Sequence, residues 1–300
     1  MRLLKSRPIR LKIQEEIIER TEKLYLHYCV PHLHIISAGD DPTSKWFVDA
    51  KIKVAEKLGI AVTNEYFGNN ALQQDIVKCI YGANRDSAIN GILLSLPLPP
   101  SFDKESEKKL LDAIDPYKDV DCVTWKNRGK MFANMDVVLP ATTQSCMLLA
   151  EHDGDISEKN VVFIGNGNVG TPLYTALMNK YPSFKSVSIC NEYTENIKDI
   201  TRRANLIFSA VGKPNLITGD MISPNTTIID AGMSKVGDDY VGDVDIESLN
   251  DVDCTVTPTP GGVGTLTTTI IMRNLMSVQS MIDKMRYHLD YSPIRDSWKK

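Results

Sequence analysis

A glycine-rich turn carries the clearest chemical signal in this sequence. The run Val161–Ile164, with the β-branched and aromatic residues of a strand, precedes it, and a helical pattern follows from Thr171 to about Lys180. In that setting the first glycine permits a tight turn, the second lets the backbone approach a pyrophosphate, and the third allows close helix–strand packing. The helix N-terminus would offer free N–H groups to the same anion. The turn therefore predicts a dinucleotide site, with a glycine-rich loop that binds nothing as the alternative; its residues are Gly165, Asn166, Gly167, Asn168, Val169 and Gly170.

The end of the next predicted strand bears on which dinucleotide is bound. Glu192 follows Gly170 at close to the spacing of about 20 residues at which an acid accepts hydrogen bonds from the ribose 2′-hydroxyl of NAD. A carboxylate at that place would also repel the 2′-phosphate of NADP. Arg202 and Arg203 lie farther along, where they could still reach a phosphate, and a solvated acid is the alternative for Glu192. The pattern favours NAD over NADP.

A lysine shares the apolar face of a predicted helix. The helix follows Pro42 and ends near Leu58, because Gly59 suits a C-terminal cap. Lys51 falls on the core-facing stripe of this helix, whereas Lys53 points elsewhere; the apolar members of the stripe are Phe47, Val54 and Leu58. The lysine stem could simply lie along apolar surface with its amine in water. The alternative is a partly desolvated amine with a lowered pKa, suited to proton transfer or to polarising a substrate.

Two further segments have the composition of ligand-binding walls. In Lys118-Asp119-Val120-Asp121 an extended backbone would direct both aspartates to one side, where a carboxylate pair could bind a polar heterocycle; a solvated loop is the alternative. The run from Thr257 to Gly264, Thr-Pro-Thr-Pro-Gly-Gly-Val-Gly, combines rigid prolines with glycines that let a ligand approach the main chain. Its glycine content exceeds what a connection needs, which favours a site wall over a plain linker.

The elements that position these residues predict an α/β fold. Strands alternate with helices, which indicates two α/β lobes around a cleft, the second a Rossmann-type parallel sheet. An opening helix is predicted from Ile9 to about Tyr28, and the predicted strands are Leu33–Ser37, Gly91–Leu96, Val161–Ile164, Ser186–Cys190, Asn205–Val211 and Thr227–Asp230. The predicted domains are residues 1–143, completed by a C-terminal helix at about 267–285, and residues 144–266. No element or role is predicted for residues 286–300.

Composition and charge narrow the class of protein. The chain has 300 residues, a formal net charge of −4 and no long basic run, which gives no electrostatic support for binding nucleic acid or a membrane surface. The charged N-terminus differs from a signal peptide, and no apolar stretch is long enough to span a bilayer. The six cysteines are scattered and form neither a CxxC pair nor a cluster with histidine, so we expect reduced thiols, a cytoplasmic protein and no metal.

Segments from both halves of the chain resemble, in the same order, the methylenetetrahydrofolate dehydrogenase/methenyltetrahydrofolate cyclohydrolase family. They are Gly39–Ser44, Lys51 within its helix, Gly91–Pro99, Lys118–Asp121, Ala210–Pro214, Gly242–Val244 and Thr257–Gly264. The resemblance spans about residues 33–283. It implies two α/β lobes with the folate in the cleft, usually in a homodimer. It also implies oxidation of 5,10-methylenetetrahydrofolate by hydride transfer to the nicotinamide, and in many members hydrolysis of the methenyl cation to 10-formyltetrahydrofolate.

By position, the resemblance implies roles for individual residues. Lys51 matches the catalytic lysine, and Asp121 matches the aspartate that holds the pterin ring. The other residues implied on the substrate side are Phe47, Ser95, Pro260, Gly261, Gly262 and Val263, and Val211 and Gly212 join the glycine turn on the cofactor side. Phe47 replaces the family's usual Tyr, and Ser95 replaces its Gln. Hydride transfer mainly needs the two ligands to be aligned, whereas hydrolysis also needs groups that transfer protons. The resemblance therefore predicts the dehydrogenase activity more directly than the cyclohydrolase activity.

The cofactor turn also departs from the family pattern. Asn166 stands where the family commonly has Arg, and Cys190-Asn191-Glu192 replaces Cys-His-Ser. Two groups that would contact a 2′-phosphate are missing and an acid is gained, which agrees with NAD. The leading hypothesis is a cytoplasmic, NAD-preferring methylenetetrahydrofolate dehydrogenase of one-carbon metabolism, in which tetrahydrofolate carries the one-carbon unit. The alternatives are a dehydrogenase of the same fold acting on another pterin one-carbon carrier and a non-catalytic NAD-sensing module.

Overall fold

The chain folds into two compact units. A computed structural model describes residues 1–27, 29–237 and 239–287, with side chains up to residue 281. The six-stranded unit contains Met1–Glu15 and Gly129–Ile270, and the three-stranded unit contains Glu16–Arg128 and the chain from Ile271 onward. Each unit is named for its main sheet.

Helices and strands alternate along most of the chain. The first half contains β1 (Arg2–Leu3), α1 (Arg7–Leu26), β2 (His32–Ala38), α2 (Pro42–Lys57), β3 (Ala61–Phe67), α3 (Gln73–Arg85), β4 (Gly91–Leu94), α4 (Lys104–Asp112) and α5 (Trp125–Phe132). The second half contains α6 (Ala141–Asp153), β5 (Asn160–Ile164), α7 (Gly170–Lys180), β6 (Ser186–Cys190), α8 (Ile197–Thr201), β7 (Leu206–Ser209), β8 (Thr226–Asp230), β9 (Ser234–Val236), β10 (Asp239–Val241), β11 (Cys254–Val256) and α9 (Val263–Tyr287). Among the described residues, no helix has the length and apolar content that a membrane crossing requires.

The main sheet of the six-stranded unit is entirely parallel. Its strand order is β1-β11-β8-β7-β5-β6. Every residue of β7 and β8 is buried, as expected for central strands of a parallel sheet whose two faces are covered. Strand β6 lies on one side of β5 and β7 lies on the other, so the order of the strands reverses at β5. In such sheets ligands bind beyond the carboxyl ends of the strands at this switch point.

The three-stranded unit has a second parallel sheet, in the order β3-β2-β4. Its core includes Ile36, Ile76, Ile92 and Leu110. Helix α2 begins after β2 because the Asp41 carboxylate accepts a hydrogen bond from the Ser44 N–H at 2.8 Å, with Pro42 in the first turn. It ends before Gly59, whose φ of +73° is a conformation that glycine adopts at little cost. The result is a helix with defined ends that carries Lys51.

The α/β class and the parallel sheets confirm the prediction, and β6 has the predicted bounds. The strands predicted to reach Leu96 and Val211 end at Leu94 and Ser209, which leaves Ser95 and Val211 in the turns that follow. The predicted end of the opening helix, Tyr28, lies outside the described residues, as do residues 288–300.

The division into units differs from the predicted domain limits. Residues Met1–Glu15 belong to the six-stranded unit, because β1 pairs in parallel with β11. Farther along the chain, the two units divide between Arg128 and Gly129, within α5. The predicted domain limit at residue 143 lies inside helix α6.

Candidate functional site

The glycine turn lies at the switch point of the six-stranded sheet, and its three glycines have different environments. A Cβ on Gly165, whose φ is +100°, would lie 2.6 Å from the carbonyl oxygen of Ala210, and a Cβ on Gly170 would lie 2.0 Å from the carbonyl oxygen of Gly165. Both glycines are therefore required by the backbone itself. A Cβ on Gly167 would meet no atom within 4 Å. The space that Gly167 leaves open is the space in which a pyrophosphate would approach the main chain.

The residues around Gly167 leave polar groups available to a ligand. Asn166 and Asn168 are exposed. Val169 is the N-cap residue of α7, and its side chain makes no capping hydrogen bond to the N–H groups of the helix's first turn. The Thr171 hydroxyl donates to the carbonyl oxygen of Asn166 at 2.7 Å, which holds the turn against the helix. A turn held in this way, beside uncapped helix amides, has the donors and the positive end of a helix dipole that bind an anion. The residues present thus fit the phosphates of a dinucleotide.

The ends of three neighbouring strands converge on this turn. The Gly165 N–H donates to the carbonyl oxygen of Cys190, the last residue of β6, at 2.8 Å. The Ala210 N–H donates to the carbonyl oxygen of Ile164, the last residue of β5, at 2.9 Å. Glu192 is exposed two residues beyond β6, and Val211 is exposed after β7. The structure thus brings together the glycine turn, the strand end that carries Glu192, and the loop of Val211 and Gly212.

A buried aspartate that the sequence analysis did not single out holds the Val211 loop. The Asp243 carboxylate accepts hydrogen bonds from the Ser209 hydroxyl at 2.7 Å and from the backbone N–H groups of Val211 at 2.8 Å and Lys213 at 2.9 Å. Gly212 within this loop has a φ of +72°. The available signal was Gly242-Asp243-Val244, an acid set between small and apolar residues and among the segments that resemble the family.

Lys51 is half-buried on α2, and its amine has defined neighbours. Nζ donates to the carbonyl oxygen of Phe47 at 3.3 Å and lies 5.7 Å from the centre of the Phe47 ring. Burial lowers the pKa of the Lys51 amine below its usual value, and the negative charge of Asp121 opposes part of that shift. Lys53 on the same helix is exposed. This arrangement agrees with a partly desolvated amine rather than with a lysine whose amine lies free in water.

The neighbouring Asp119 has a structural use. It is fully buried, and its carboxylate accepts hydrogen bonds from the N–H groups of Val123 and Thr124, both at 3.0 Å, and from the side-chain amide of Asn127 at 3.0 Å. These bonds shape the turn that follows the segment. Of the two aspartates predicted to act together, Asp119 is therefore the one whose carboxylate holds this turn.

The segment that carries Asp121 is held from two sides. The Ile92 N–H of β4 donates to the Lys118 carbonyl oxygen at 2.7 Å, and the Asn274 side chain of α9 donates to the Val120 carbonyl oxygen at 2.8 Å. A Cβ on Gly91 would lie 2.4 Å from a methyl carbon of Val120, so only glycine allows this close approach. Asp121 is thereby held within the electrostatic reach of Lys51.

Ser95 lines a cavity at the carboxyl end of the three-stranded sheet. It is buried directly after β4, and its N–H donates to Ile36 at 2.8 Å. The cavity has a volume of about 230 Å³ and is lined mainly by the ends of β2 and β4, by the first two turns of α2 and by β3; the residues are Ser37, Ala38, Gly39, Ser44, Lys45, Val48, Asp49, Asn64, Tyr66, Ser95 and Pro97. Lys51 and Asp121 do not line it. The cavity beside Ser95 therefore belongs to the same unit as Lys51, but the Lys51 side chain does not form its wall.

The proline- and glycine-rich loop belongs to the six-stranded unit. A Cβ on Gly262 would lie 2.6 Å from the Pro258 carbonyl oxygen, and Gly261 has a φ of +109°. The carbonyl oxygen of Gly261 accepts hydrogen bonds from the N–H of Ser6 at 3.0 Å and from its hydroxyl at 2.9 Å. Pro260 is exposed, and the buried Val263 begins α9. The loop is therefore constrained both by its own backbone and by its hydrogen bonds to Ser6.

Comparison with known proteins places these features in a family. The profile described as the tetrahydrofolate dehydrogenase/cyclohydrolase catalytic domain matches residues 4–121. The profile described as the NAD(P)-binding domain of the same family matches residues 140–282, which confirms the dinucleotide domain predicted from the glycine turn.

Full-length relatives agree with the two profiles. The bifunctional protein FolD of Acetivibrio thermocellus is 34% identical over 288 residues, which cover 95% of this chain and 99% of that protein. The crystal structure of the bifunctional FolD methylenetetrahydrofolate dehydrogenase/cyclohydrolase of Campylobacter jejuni has a TM-score of 0.87 and 31% identity, covering 94% of this chain and 99% of that one. The Trypanosoma brucei methylenetetrahydrofolate dehydrogenase-cyclohydrolase, solved with NADP and an inhibitor, has a TM-score of 0.86 and 28% identity, covering 93% and 97%. The chain belongs to the tetrahydrofolate dehydrogenase/cyclohydrolase family.

Proposed function

We propose that this protein oxidises 5,10-methylenetetrahydrofolate to 5,10-methenyltetrahydrofolate, with NAD(P) as the acceptor. The bridge carbon of the substrate loses a hydride, that is, one hydrogen with both bonding electrons, and the product is the methenyl cation. A bound nicotinamide ring supplies the hydride acceptor. The observation that carries the proposal is the half-buried Lys51 amine beside Asp121, in a chain whose other unit holds an open glycine turn at a sheet switch point.

On the cofactor side, the chain's own residues bind and orient. The open backbone at Gly167 and the N-terminal amides of α7 would hold the pyrophosphate. Val211 and Gly212 would border the same space, because their loop follows Ala210, whose carbonyl oxygen lies against Gly165. Glu192, after the end of β6, would accept hydrogen bonds from the adenosine ribose. Such contacts would orient the dinucleotide, and orientation is the main requirement of hydride transfer.

On the folate side, Lys51 and Asp121 manage charge. The product is a cation, so a neutral amine beside the bridge carbon destabilises it less than an ammonium group would. Burial favours that neutral form by lowering the pKa of Lys51. The carboxylate of Asp121 accepts hydrogen bonds from the polar edge of the pterin ring. The family resemblance is the ground on which we assign folate contact to Pro260, Gly261, Gly262 and Val263 as well.

The direct test is one spectrophotometric assay on the purified protein. Methylenetetrahydrofolate is supplied with NAD⁺ or NADP⁺, and the formation of NAD(P)H and of the methenyl species is followed together. We expect both products in equal amounts at early times. Dinucleotide binding without NAD(P)H formation would favour the sensing module, and turnover only with another pterin carrier would favour the related dehydrogenase.

We propose a second activity at the same lysine, the hydrolysis of the methenyl product to 10-formyltetrahydrofolate. This reaction adds water to the bridge carbon and opens the ring, so a group must accept and return a proton. We assign this role to Nζ of Lys51, because burial lowers the pKa of its amine and so favours the form that accepts a proton. The structure gives this amine the ring face and the carbonyl oxygen of Phe47 as neighbours. Because neither supplies the hydroxyl of the family's usual Tyr, we expect hydrolysis to be slower than oxidation.

We propose that NAD is preferred over NADP. The argument rests on Glu192, which is exposed beside the turn, and on Asn166, which carries no positive charge for a 2′-phosphate. Glu192→Ser should therefore raise the ratio of kcat/KM with NADP to kcat/KM with NAD by about tenfold, since it removes a repulsive charge and a ribose acceptor. The matched control is Glu195→Ser, an exposed acid three residues along. An unchanged ratio in Glu192→Ser would contradict this assignment.

We propose that the protein works as a homodimer in the cytoplasm. The homodimer is carried over from the family resemblance. The cytoplasmic assignment rests on the six cysteines, which form no disulfide in the structure, as expected in a reducing compartment. Light scattering of the purified protein, with a molar mass of twice that of one chain as the expected result, tests the dimer.

A further inference from the structure

Two buried carboxyl groups lie side by side in the six-stranded unit, at Asp230 and Asp243. Asp230 is 2% exposed and Asp243 is 0% exposed. The Asp243 carboxyl carbon lies 2.1 Å from the position that a Cβ on Gly232 would occupy, and the Asp230 Oδ2 lies 2.1 Å from the position of a Cβ on Gly242. Each carboxyl thus occupies space that a glycine beside the other aspartate leaves free. Both aspartates therefore depend on a nearby glycine for the space that their carboxyl groups occupy.

Each carboxyl holds a different part of the unit. Asp243 accepts the three hydrogen bonds described above, from Ser209 and from the loop of Val211 to Lys213. Asp230 accepts hydrogen bonds from the N–H groups of Gly232 at 2.9 Å and Val244 at 3.0 Å. Its own N–H donates to the hydroxyl of Thr257 at 2.8 Å, where the proline- and glycine-rich loop begins. The pair therefore connects the Val211 loop with the loop that begins at Thr257.

The two carboxyl groups are not equivalent in charge. Burial, and then the neighbouring charge of Asp243, raise the pKa of Asp230 to about 7. Three donors satisfy the oxygens of Asp243, more than the two N–H groups described above for the Asp230 oxygens. The thiol of Cys146, on helix α6, lies within the electrostatic reach of Asp230. Burial and the charge of Asp230 raise the pKa of this thiol, so the thiol carries no charge near neutral pH. Thr257, from the β11 side, is uncharged.

We propose that Asp243 is a positioning residue for dinucleotide binding and that Asp230 couples this binding to the uptake of a proton. The inference rests on the proposed function, because it takes the Val211 loop as part of the cofactor site. When Asp230 loses its proton, two adjacent carboxylates repel each other and disturb the loop that Asp243 holds. The second charge also disfavours an anionic ligand in the same unit. Affinity for the dinucleotide therefore falls as the pH rises through neutrality, and binding draws in a proton by the same coupling.

Isothermal titration calorimetry of the full chain with NAD⁺ tests the proposal. NAD⁺ is the suitable probe because it lacks the titrating 2′-phosphate of NADP⁺. Titrations at pH 7 in two buffers of different ionisation heat give the number of protons taken up, and titrations from pH 6 to 8 give the affinities. We expect wild type to take up a fraction of one proton and to bind several-fold more weakly at pH 8 than at pH 6.

Variants separate the two roles. Asp230→Asn should bind NAD⁺ with no proton uptake and with an affinity that does not change between pH 6 and 8. Asp243→Asn should raise the Kd for NAD⁺ about tenfold, because the new amide group presents N–H groups to the N–H of Val211. Ser209→Ala removes one donor from Asp243 without disturbing the loop backbone, so it tests the same role, with a several-fold increase in Kd, if Asp243→Asn does not fold. Asp251→Asn, an exposed acid of the same unit, is the charge-matched control and should behave as wild type.

The outcomes are distinguishable. Wild type that binds NAD⁺ without proton uptake overturns the coupling, and unchanged affinity in both Asp243→Asn and Ser209→Ala overturns the positioning role. Wild type that binds neither NAD⁺ nor NADP⁺ overturns the proposed function itself, and this inference with it.

Discussion

At the scale of single residues, Lys51 is the group on which the proposed chemistry depends most. Lys51→Ala should lower the rate of methenyltetrahydrofolate hydrolysis by about 100-fold or more, because it removes the amine that accepts and returns the proton. NAD⁺ affinity should stay unchanged, since the glycine turn belongs to the other unit. The matched control is Lys53→Ala, an exposed lysine of the same helix, which should hydrolyse as wild type. Normal hydrolysis by Lys51→Ala would refute the role.

Phe47 provides a second residue-scale prediction, in the direction of a gain. Its ring already lies beside the amine, with 5.7 Å between Nζ and the ring centre. Phe47→Tyr adds a hydroxyl that can hydrogen-bond Nζ, a contribution of about 1 kcal/mol, so hydrolysis should rise roughly fivefold while the dehydrogenase rate changes little. Phe47→Leu, which keeps the backbone carbonyl but removes the ring, should not raise it. Equal hydrolysis rates in Phe47→Tyr and wild type would show that proton transfer at Lys51 needs no hydroxyl partner.

At the scale of elements, the glycine turn before α7 separates a structural requirement from a binding requirement. Gly170→Ala places a Cβ 2.0 Å from a backbone oxygen, so the turn must shift and the protein should unfold at a lower temperature. Gly167→Ala meets no neighbouring atom, so it should fold as wild type but bind NAD⁺ at least about tenfold more weakly, because the methyl group enters the ligand's space.

The matched control for this pair is Gly82→Ala, an exposed and open position within α3 of the three-stranded unit. It should retain NAD⁺ affinity, and its melting temperature should not fall, because alanine is favoured over glycine by about 0.5–1 kcal/mol inside a helix. If Gly167→Ala binds NAD⁺ as tightly as Gly82→Ala does, the pyrophosphate does not pass over Gly167. Thermal unfolding and NAD⁺ titration of the three variants together decide the assignment.

The elements also show why some features were predictable from sequence and others were not. The β5–turn–α7 segment was predicted because strand residues, glycines and helical periodicity all agree locally. Strand β11, with three residues, and strand β1, with two, carry too few side chains for a periodic pattern, and they become strands only by pairing with distant chain. Helix α6 was missed because its buried residues include Thr143 and Ser145 as well as apolar ones, so it lacks an alternation of apolar and polar faces.

The residues of the candidate site also differ in whether the sequence alone reveals them. Lys51 stood out because a charged residue on an apolar stripe breaks the pattern of its own helix. Asp243 did not stand out, because its importance lies in three hydrogen bonds to residues more than 25 positions away, and sequence spacing does not reveal those. Asp119 looks equivalent to Asp121 in sequence, and its full burial and the hydrogen bonds that its carboxylate accepts become visible only in the structure.

At the scale of the whole molecule, the chain's first residues are tied to the region around residues 254–261. Strand β1 pairs with β11, the Leu4 N–H donates to Val256 at 2.8 Å, and Ser6 supplies both hydrogen bonds to the Gly261 carbonyl oxygen. Leu4 is buried, whereas its neighbour Leu3 is 41% exposed. A short N-terminal segment thus stabilises a loop that we assign to the folate site, although more than 240 positions separate them in sequence.

This tie predicts an effect on both stability and substrate binding. Leu4→Ala should lower the free energy of unfolding of the six-stranded unit by about 2–4 kcal/mol, the usual cost of a cavity at a buried leucine. The exposed control Leu3→Ala should cost about 0.5 kcal/mol. Because Ser6 follows Leu4 closely and holds Gly261, Leu4→Ala should also raise KM for methylenetetrahydrofolate while leaving the Kd for NAD⁺ near its wild-type value. Denaturant unfolding and steady-state kinetics measure the two effects. A loss of stability with an unchanged KM would mean that the Gly261 loop keeps its conformation without the N-terminal segment. The close packing of Gly262 on Pro258 and the hydrogen bond between Asp230 and Thr257 would then be enough to hold it.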